Sequence, residues 1–291
     1  MRKDVAERRD ERAPAVRALT GPVDPAEAAL AVARRLGVEA REAEVVETGT
    51  HVLVRIEPGP VAARVTGDGI LAPFAGDLDV EVRFAAALHT AGAPVIPPLA
   101  GVPARVHEHG GRRVTLWEWW EPAGRDGTPE AAGRGLATCP RALTGVELRV
   151  RPWAKLEEAR GRLPELAPAD RAVLAPHLEL PDGPLWPIHG DAHAGNVLPG
   201  PAWHDWEDAQ LGWVEWDLGC LVATGRVLGM DFGHGETMLA AYDAPYDEGR
   251  LDRCVAARTA QVAVYGLLLG DAVPGLPERV AARLDWLSAS A

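Results

Sequence analysis

The chain has 291 residues, enough for two lobes or one large α/β domain with a sizeable core. Hydrophobic residues make up 47% and charged residues 25%, an ordinary globular balance, and a net charge of -12 argues against a nucleic-acid-binding surface. Cys139, Cys220 and Cys254 are odd in number, scattered and free of any CxxC pair, which excludes a disulfide framework and leads us to expect a cytoplasmic protein.

Residues 1–23 read as a charge-rich arm without the apolar core of a signal peptide, and no apolar run is long enough to span a bilayer. "DPAEAALAVARRLG" predicts a helix, with Asp24 as cap, Pro25 in the first turn, Glu27 completing a capping box and Gly37 at the end. "AEVVETGTHVLVRIEPGPVAARVTG" has alternating valines with breakers at Gly49 and Pro58–Pro60, which predicts antiparallel strands. A helix capped at Asp77 and ended by Gly92 follows, then a hairpin turning at Gly110–Gly111. Beyond Pro122 the periodicity is mostly helical, with helices expected in "EAAGRGLATC", "PADRAVLAPHLEL", "WDLGCLVATGRVLG", "GETMLAAYDA" and "DEGRLDRCVAARTAQVAVYGLLLGD". The expected division is an arm over 1–23, a strand-rich unit over 24–118 and a helical unit over 119–291.

The densest chemistry lies in "LWPIHGDAHAGNVLPGPAWHDWEDAQLGWVEWDLGCL", residues 185–221. His189, Asp191 and His193 alternate, as metal ligands on a strand do. Taken with His204 they raise the possibility of a zinc-dependent hydrolase. Gly190 and Gly195 favour a loop over such a strand. Three elements also stand in order: His189-Gly-Asp191-x4-Asn196, then "HDWEDA" with Asp205, then "EWDLGCL" with Asp217 opening a helix.

That order resembles the aminoglycoside phosphotransferase and choline-kinase-like family, with its HGDxHxxN loop, its D-W-E segment and its D-L-A helix. The resemblance covers roughly residues 45–265. It implies an α+β, bilobal, protein-kinase-like fold with a small antiparallel N-lobe and a larger helical C-lobe. It further implies an ATP- (or GTP-) and Mg²⁺-dependent transfer to a small-molecule hydroxyl.

On that resemblance Asp191 is the catalytic base, and Asn196 and Asp205 hold the metal, Asp205 in the frame of a short strand. His189 and His193 brace the loop. Asp217 caps its helix and ties the loop down. With no lysine between Lys3 and Lys155, the cation for the nucleotide phosphates falls to Arg64 in "VAARVTG", paired with Glu81. Thr50, in the turn "ETGTHV", and the hinge residues Trp117, Glu118 and Trp119 complete the expected nucleotide site. The DFG triplet at Asp231 is read as a loop rather than a metal ligand.

Glu207, Asp208, Asp231 and Glu236 are the acidic candidates for the acceptor pocket, with Asp243, Asp247 and Glu248 behind them. They suit a cationic acceptor such as an aminoglycoside or another antibiotic, in a monomer or homodimer. Three departures from the family pattern stand out: the single-glycine phosphate turn, Thr138-Cys139-Pro140, and Gly212-Trp213-Val214 before the Asp217 helix. These leave a nucleotide-binding pseudoenzyme as a further alternative.

Overall fold

The computed structural model describes residues 21–59, 61–121, 127–146, 148–179, 181–230 and 233–290. The expected arm lies outside these, apart from its last three residues. Helix α1 (Pro25–Arg35) starts where Asp24 accepts from the Ala26 and Glu27 amides. Strands β1 (Ala40–Thr48), β2 (His51–Pro58) and β3 (Val61–Thr66) follow as an antiparallel meander. Helix α2 (Leu78–Thr90) then leads to β4 (His107–His109) and β5 (Arg112–Glu118). The five strands form one antiparallel sheet in the order β1-β2-β3-β5-β4. Gly110 and Gly111 both take positive φ, the backbone that a tight two-residue hairpin turn demands.

The sheet closes its core by alternation. Val54, Ile56, Ala63, Val65 and Val114 are fully buried and pack with Ala28, Ala29, Val32 and Ala33 of α1. Full burial of each Val or Ile side chain here contributes about 1.5–3 kcal/mol.

The second unit holds α3 (Pro129–Ala142), α4 (Ala154–Arg162), α5 (Pro168–Leu174), α6 (Val214–Arg226), α7 (Gly235–Ala240), α8 (Glu248–Leu269) and α9 (Leu276–Ala289). Two short antiparallel pairs frame the motif: β6 (Trp186–Ile188) with β9 (Gln210–Gly212), and β7 (Val197–Leu198) with β8 (Ala202–Trp203). Helices α4 and α9 were not expected from periodicity. Charged residues dominate α4, yet Leu156 and Ala159 bury one narrow stripe against α8 and the neighbouring turns. Helix α3 continues through Pro140, which has no amide to give the helical ladder, and ends two residues later. No helix among the described residues is long and apolar enough to cross a membrane.

The two units share a core. Val82, Phe84 and Leu88 of α2 pack in one cluster with Trp203 and Trp206 after the His189–Asn196 loop and with Leu218 and Leu221 of α6. The Asp77 amide donates to the Glu207 carbonyl, 3.0 Å, across that junction.

Candidate active site

Strand β6 delivers the chain into a loop at His189, and the loop is held from four sides. Asp217, one turn into α6, accepts the His189 amide at 2.8 Å and the Gly190 amide at 2.9 Å. The Trp216 indole donates to the Gly190 carbonyl at 2.7 Å. The His189 ring reaches the His204 carbonyl through Nε2 at 2.9 Å, while its Nδ1 accepts the Asp191 amide at 3.3 Å. Those partners make Nε2 the donor and Nδ1 the acceptor of the ring. Asn196 donates its amide to the Asp191 carbonyl at 2.9 Å, which leaves its side-chain oxygen as the atom with ligand chemistry.

Asp217 does not cap α6, contrary to the expectation. Trp213 is the N-cap residue and no side chain caps it. Both Asp217 oxygens go to the loop, so its role is anchoring. Burial pushes its carboxyl up to about 6, against the pull of His189 and the two backbone donors.

Asp205 differs from expectation in a second way. It sits not on a strand but at φ 65° and ψ 51°, in the left-handed region, between β8 and a single 3-10 turn. That conformation is uncommon for a residue with a side chain and directs attention to the site.

Across the cleft, β3 presents Arg64. Its Nη1 lies 2.5 Å from Glu81 Oε1 and 2.5 Å from Asp205 Oδ1, and its Nη2 lies 2.5 Å from Glu207 Oε2. Glu81 stands on the buried stripe of α2 with Leu78, Val82, Ala85 and Leu88, where a carboxylate survives only with a partner. Three carboxylates around one guanidinium are incompletely compensated. Burial, opposed by Arg64, pushes Glu81 up to about 8 and Glu207 up to about 7. Burial would also raise Asp205, but Arg64 and His204 overcome it and hold that carboxyl well below its ordinary range.

A cavity of about 330 Å³ opens between the sheet and the loop, lined by Ala62, Arg64, Glu81, Trp117, Glu118, Trp119, Trp120, Asp205 and Trp206 among others. Its size and its mostly apolar walls with a few convergent charges suit a small-molecule cofactor. Arg64, Glu81, Asp205, Trp117, Glu118 and Trp119 thus converge. A larger cavity of about 580 Å³, with Trp153, Trp213, Trp216 and Trp286 in its walls, contains none of the expected catalytic, metal or nucleotide residues.

Thr50 does not line the cleft; its hydroxyl donates to Glu207 Oε1 at 3.1 Å. The acidic acceptor set is not assembled either. Glu207 is buried and held by Arg64, Thr50 and the Gly76 amide. Asp208 is paired with Lys155 Nζ at 2.5 Å, and Glu236 with Arg226 at 2.6 and 2.9 Å. Asp231 lies outside the described residues. No three His, Cys, Asp or Glu side chains among the described residues are grouped to hold a metal ion. The zinc arrangement fails on this geometry because both ring nitrogens of His189 are engaged within the loop.

Two charged neighbours of the candidate site were missed by sequence reasoning. Arg258 of α8 forms an ion pair with Asp191 Oδ1, and Lys155 of α4 pairs with Asp208. Burial alone would raise the Asp191 carboxyl, but Arg258 followed by His193 and His189 holds it below its ordinary range. The available signals were an arginine inside the apolar run "CVAARTAQVAV" and Lys155, one of two lysines in an arginine-rich chain.

A family model described as a phosphotransferase enzyme family matches residues 31–254. The fold is similar to that of a spectinomycin phosphotransferase in complex with ADP and spectinomycin. That match has a TM-score of 0.63 at 13% identity, covering 92% of this chain and 99% of that one. It is also similar to a choline kinase from Streptococcus pneumoniae, with a TM-score of 0.58 at 15% identity over 89% and 98% of the two chains. A choline/ethanolamine kinase family protein from Mesorhizobium loti matches with a TM-score of 0.56 at 19% identity over 86% and 87%. A search of curated proteins gave no match.

Proposed function

This chain belongs to the phosphotransferase enzyme family, and we propose that it moves the γ-phosphoryl group of ATP to a hydroxyl of a small molecule, with Asp191 as catalytic base. The observation that carries this reading is the meeting of Arg64 and Glu81 from the sheet unit with Asp205 from the motif, at one edge of a nucleotide-sized cleft. Structural relatives act on choline or bind spectinomycin, both hydroxyl compounds, and that supports the acceptor class.

In this reading the Trp117–Trp119 segment flanks the base and Arg64, held by Glu81 and Glu207, supplies the positive charge that faces the phosphates. Asp191 orients the acceptor hydroxyl and takes its proton. The acceptor oxygen bonds to the γ-phosphorus while the bond to the bridging oxygen breaks, releasing ADP. The oxygen-only donor pair of Asn196 and Asp205 fits Mg²⁺, which takes one or two protein oxygens and completes its shell with phosphates and water. Those two residues would hold the ion, whose charge neutralises the phosphates when bound. Antibiotic modification is one physiological setting for this chemistry.

ADP release should be measured with ATP and Mg²⁺ over a panel of hydroxyl compounds, with transfer confirmed by labelled γ-phosphate. Asp191→Asn should lower turnover about 10²–10⁴-fold with ADP affinity retained. Full turnover by that variant removes Asp191 from its role, and nucleotide binding without transfer to any acceptor favours a pseudoenzyme.

A further inference from the structure

Helix α8 carries a single charged group into the catalytic loop. Arg258 is 7% exposed. Its Nη2 donates to Asp191 Oδ1 and its Nη1 donates to Gln261 Oε1 at 2.6 Å. Gln261 lies three residues on along the same helix, so the guanidinium is held at both ends. The other oxygen of Asp191 faces His193, whose Nε2 is 3.7 Å away.

The next carboxylate is compensated as well. Lys155, 6% exposed, places Nζ 2.5 Å from Asp208 Oδ1. The Asp208 backbone packs so tightly on the loop that a Cβ at Gly190 would meet its carbonyl oxygen at 2.0 Å. Asp191, Arg258, Asp208 and Lys155 therefore form a compact cluster of two negative and two positive charges. Three of the carboxylates expected to draw in amino groups are paired from within the fold: Asp208 with Lys155, Glu207 with Arg64 and Glu236 with Arg226.

We propose that Arg258 is a positioning and specificity-determining residue of the acceptor site. It fixes one oxygen of Asp191 and leaves the other for the acceptor hydroxyl. Its charge admits acceptors with no positive charge near that hydroxyl, such as polyols, sugars or hydroxy acids, and disfavours ammonium-bearing ones. An ammonium group brought against Asp191 meets a fixed guanidinium in a poorly screened site, and like charges at such range discriminate strongly between partners. The inference rests on the phosphotransferase reading and deepens it.

The test compares kcat and KM for ATP-dependent phosphorylation of three sets: glycerol and glucose, glycerate and lactate, and choline, ethanolamine and streptomycin. The intact protein should favour the first two sets over the third by about tenfold or more in kcat/KM. Arg258→Gln should lower kcat for the favoured acceptors about tenfold with KM for ATP unchanged, and should narrow the discrimination. Arg258→Lys keeps the charge and should restore the discrimination with only part of kcat, a split that loss of packing does not produce. Preference of the unaltered protein for the ammonium set overturns the inference while leaving the phosphotransferase reading intact, and needs no variant that folds. Unchanged kcat and selectivity in Arg258→Gln overturns it too. Transfer to no acceptor in any set overturns the phosphotransferase reading and the inference with it.

Discussion

Arg64 Nη1 on β3 lies 2.5 Å from Asp205 Oδ1, a partner 141 residues further along the chain. The same guanidinium holds Glu81 and Glu207. One cation thus joins the sheet, helix α2 and the segment after the catalytic loop. The relation makes Arg64 a fastener between the two units as well as the candidate ligand for nucleotide phosphates.

Removing that cation should be costly. Arg64→Ala leaves three carboxylates facing one another, two of them buried, and breaking a buried pair from one side costs about 3–5 kcal/mol. Arg64→Lys keeps the charge but loses the fork and should fall between the two. Denaturant unfolding measures both effects. Equal stability of Arg64→Ala and the unaltered protein would sink the fastener role.

Asp205→Asn and Asn196→Ala should each weaken Mg²⁺-dependent nucleotide binding about tenfold or more while ADP binding without metal changes little, since each removes one hard oxygen ligand or its charge. Calorimetric titration of ADP with and without Mg²⁺ reads the difference. Parallel losses in both titrations would assign these residues to the nucleotide rather than to the ion.

Asp217 predicts opposite pH trends for stability and activity. Its carboxyl is raised from an ordinary 3.8 to about 6, chiefly by burial. Between those values the folded chain keeps a proton that the unfolded chain releases, so this contribution is present at low pH and lost as pH rises through 6, on the order of 3 kcal/mol. Asp217→Asn cannot titrate. The stability difference between the unaltered protein and that variant should shrink by this order from about pH 4 to above 6. Activity should move the other way, because only the carboxylate accepts both loop amides. Unfolding curves at a series of pH values check the first trend, and a difference that stays flat with pH contradicts it.

Gly190→Ala should be among the most damaging single substitutions. Gly190 sits at φ +87°, and an added Cβ would lie 2.0 Å from the Asp208 carbonyl oxygen. Both the backbone strain and the clash fall on the loop that carries Asp191. Loss of soluble folded protein, or a large fall in midpoint together with turnover, is expected. A stable and active variant would show that the loop can move away from Asp208.

Much of the site was legible because motif chemistry is local. Asp191 and Asn196 share one loop, and Asp205 follows within ten residues of Asn196. The family resemblance pointed to Arg64, with no lysine between Lys3 and Lys155 to compete for the role, and to Glu81 ahead of an apolar helical run. Thr50, Glu207, Asp208 and Glu236 were less legible. Their residue types suited phosphate or amine recognition, but a carboxylate's role depends on which cation reaches it first.

The sequence by itself determined the class of fold and pointed to the Asp191 loop as the candidate site, because hydrophobic period, turn glycines and motif order are encoded within short windows. Tertiary structure alone decided how charge is distributed around that loop. Arg258 meets Asp191 from 67 residues away, Lys155 meets Asp208 from 53, and Arg64 gathers three acids from two units. Such pairings are set by how helices α4 and α8 and strand β3 pack about the loop. In a low-dielectric interior that packing fixes which carboxylates stay available to a ligand.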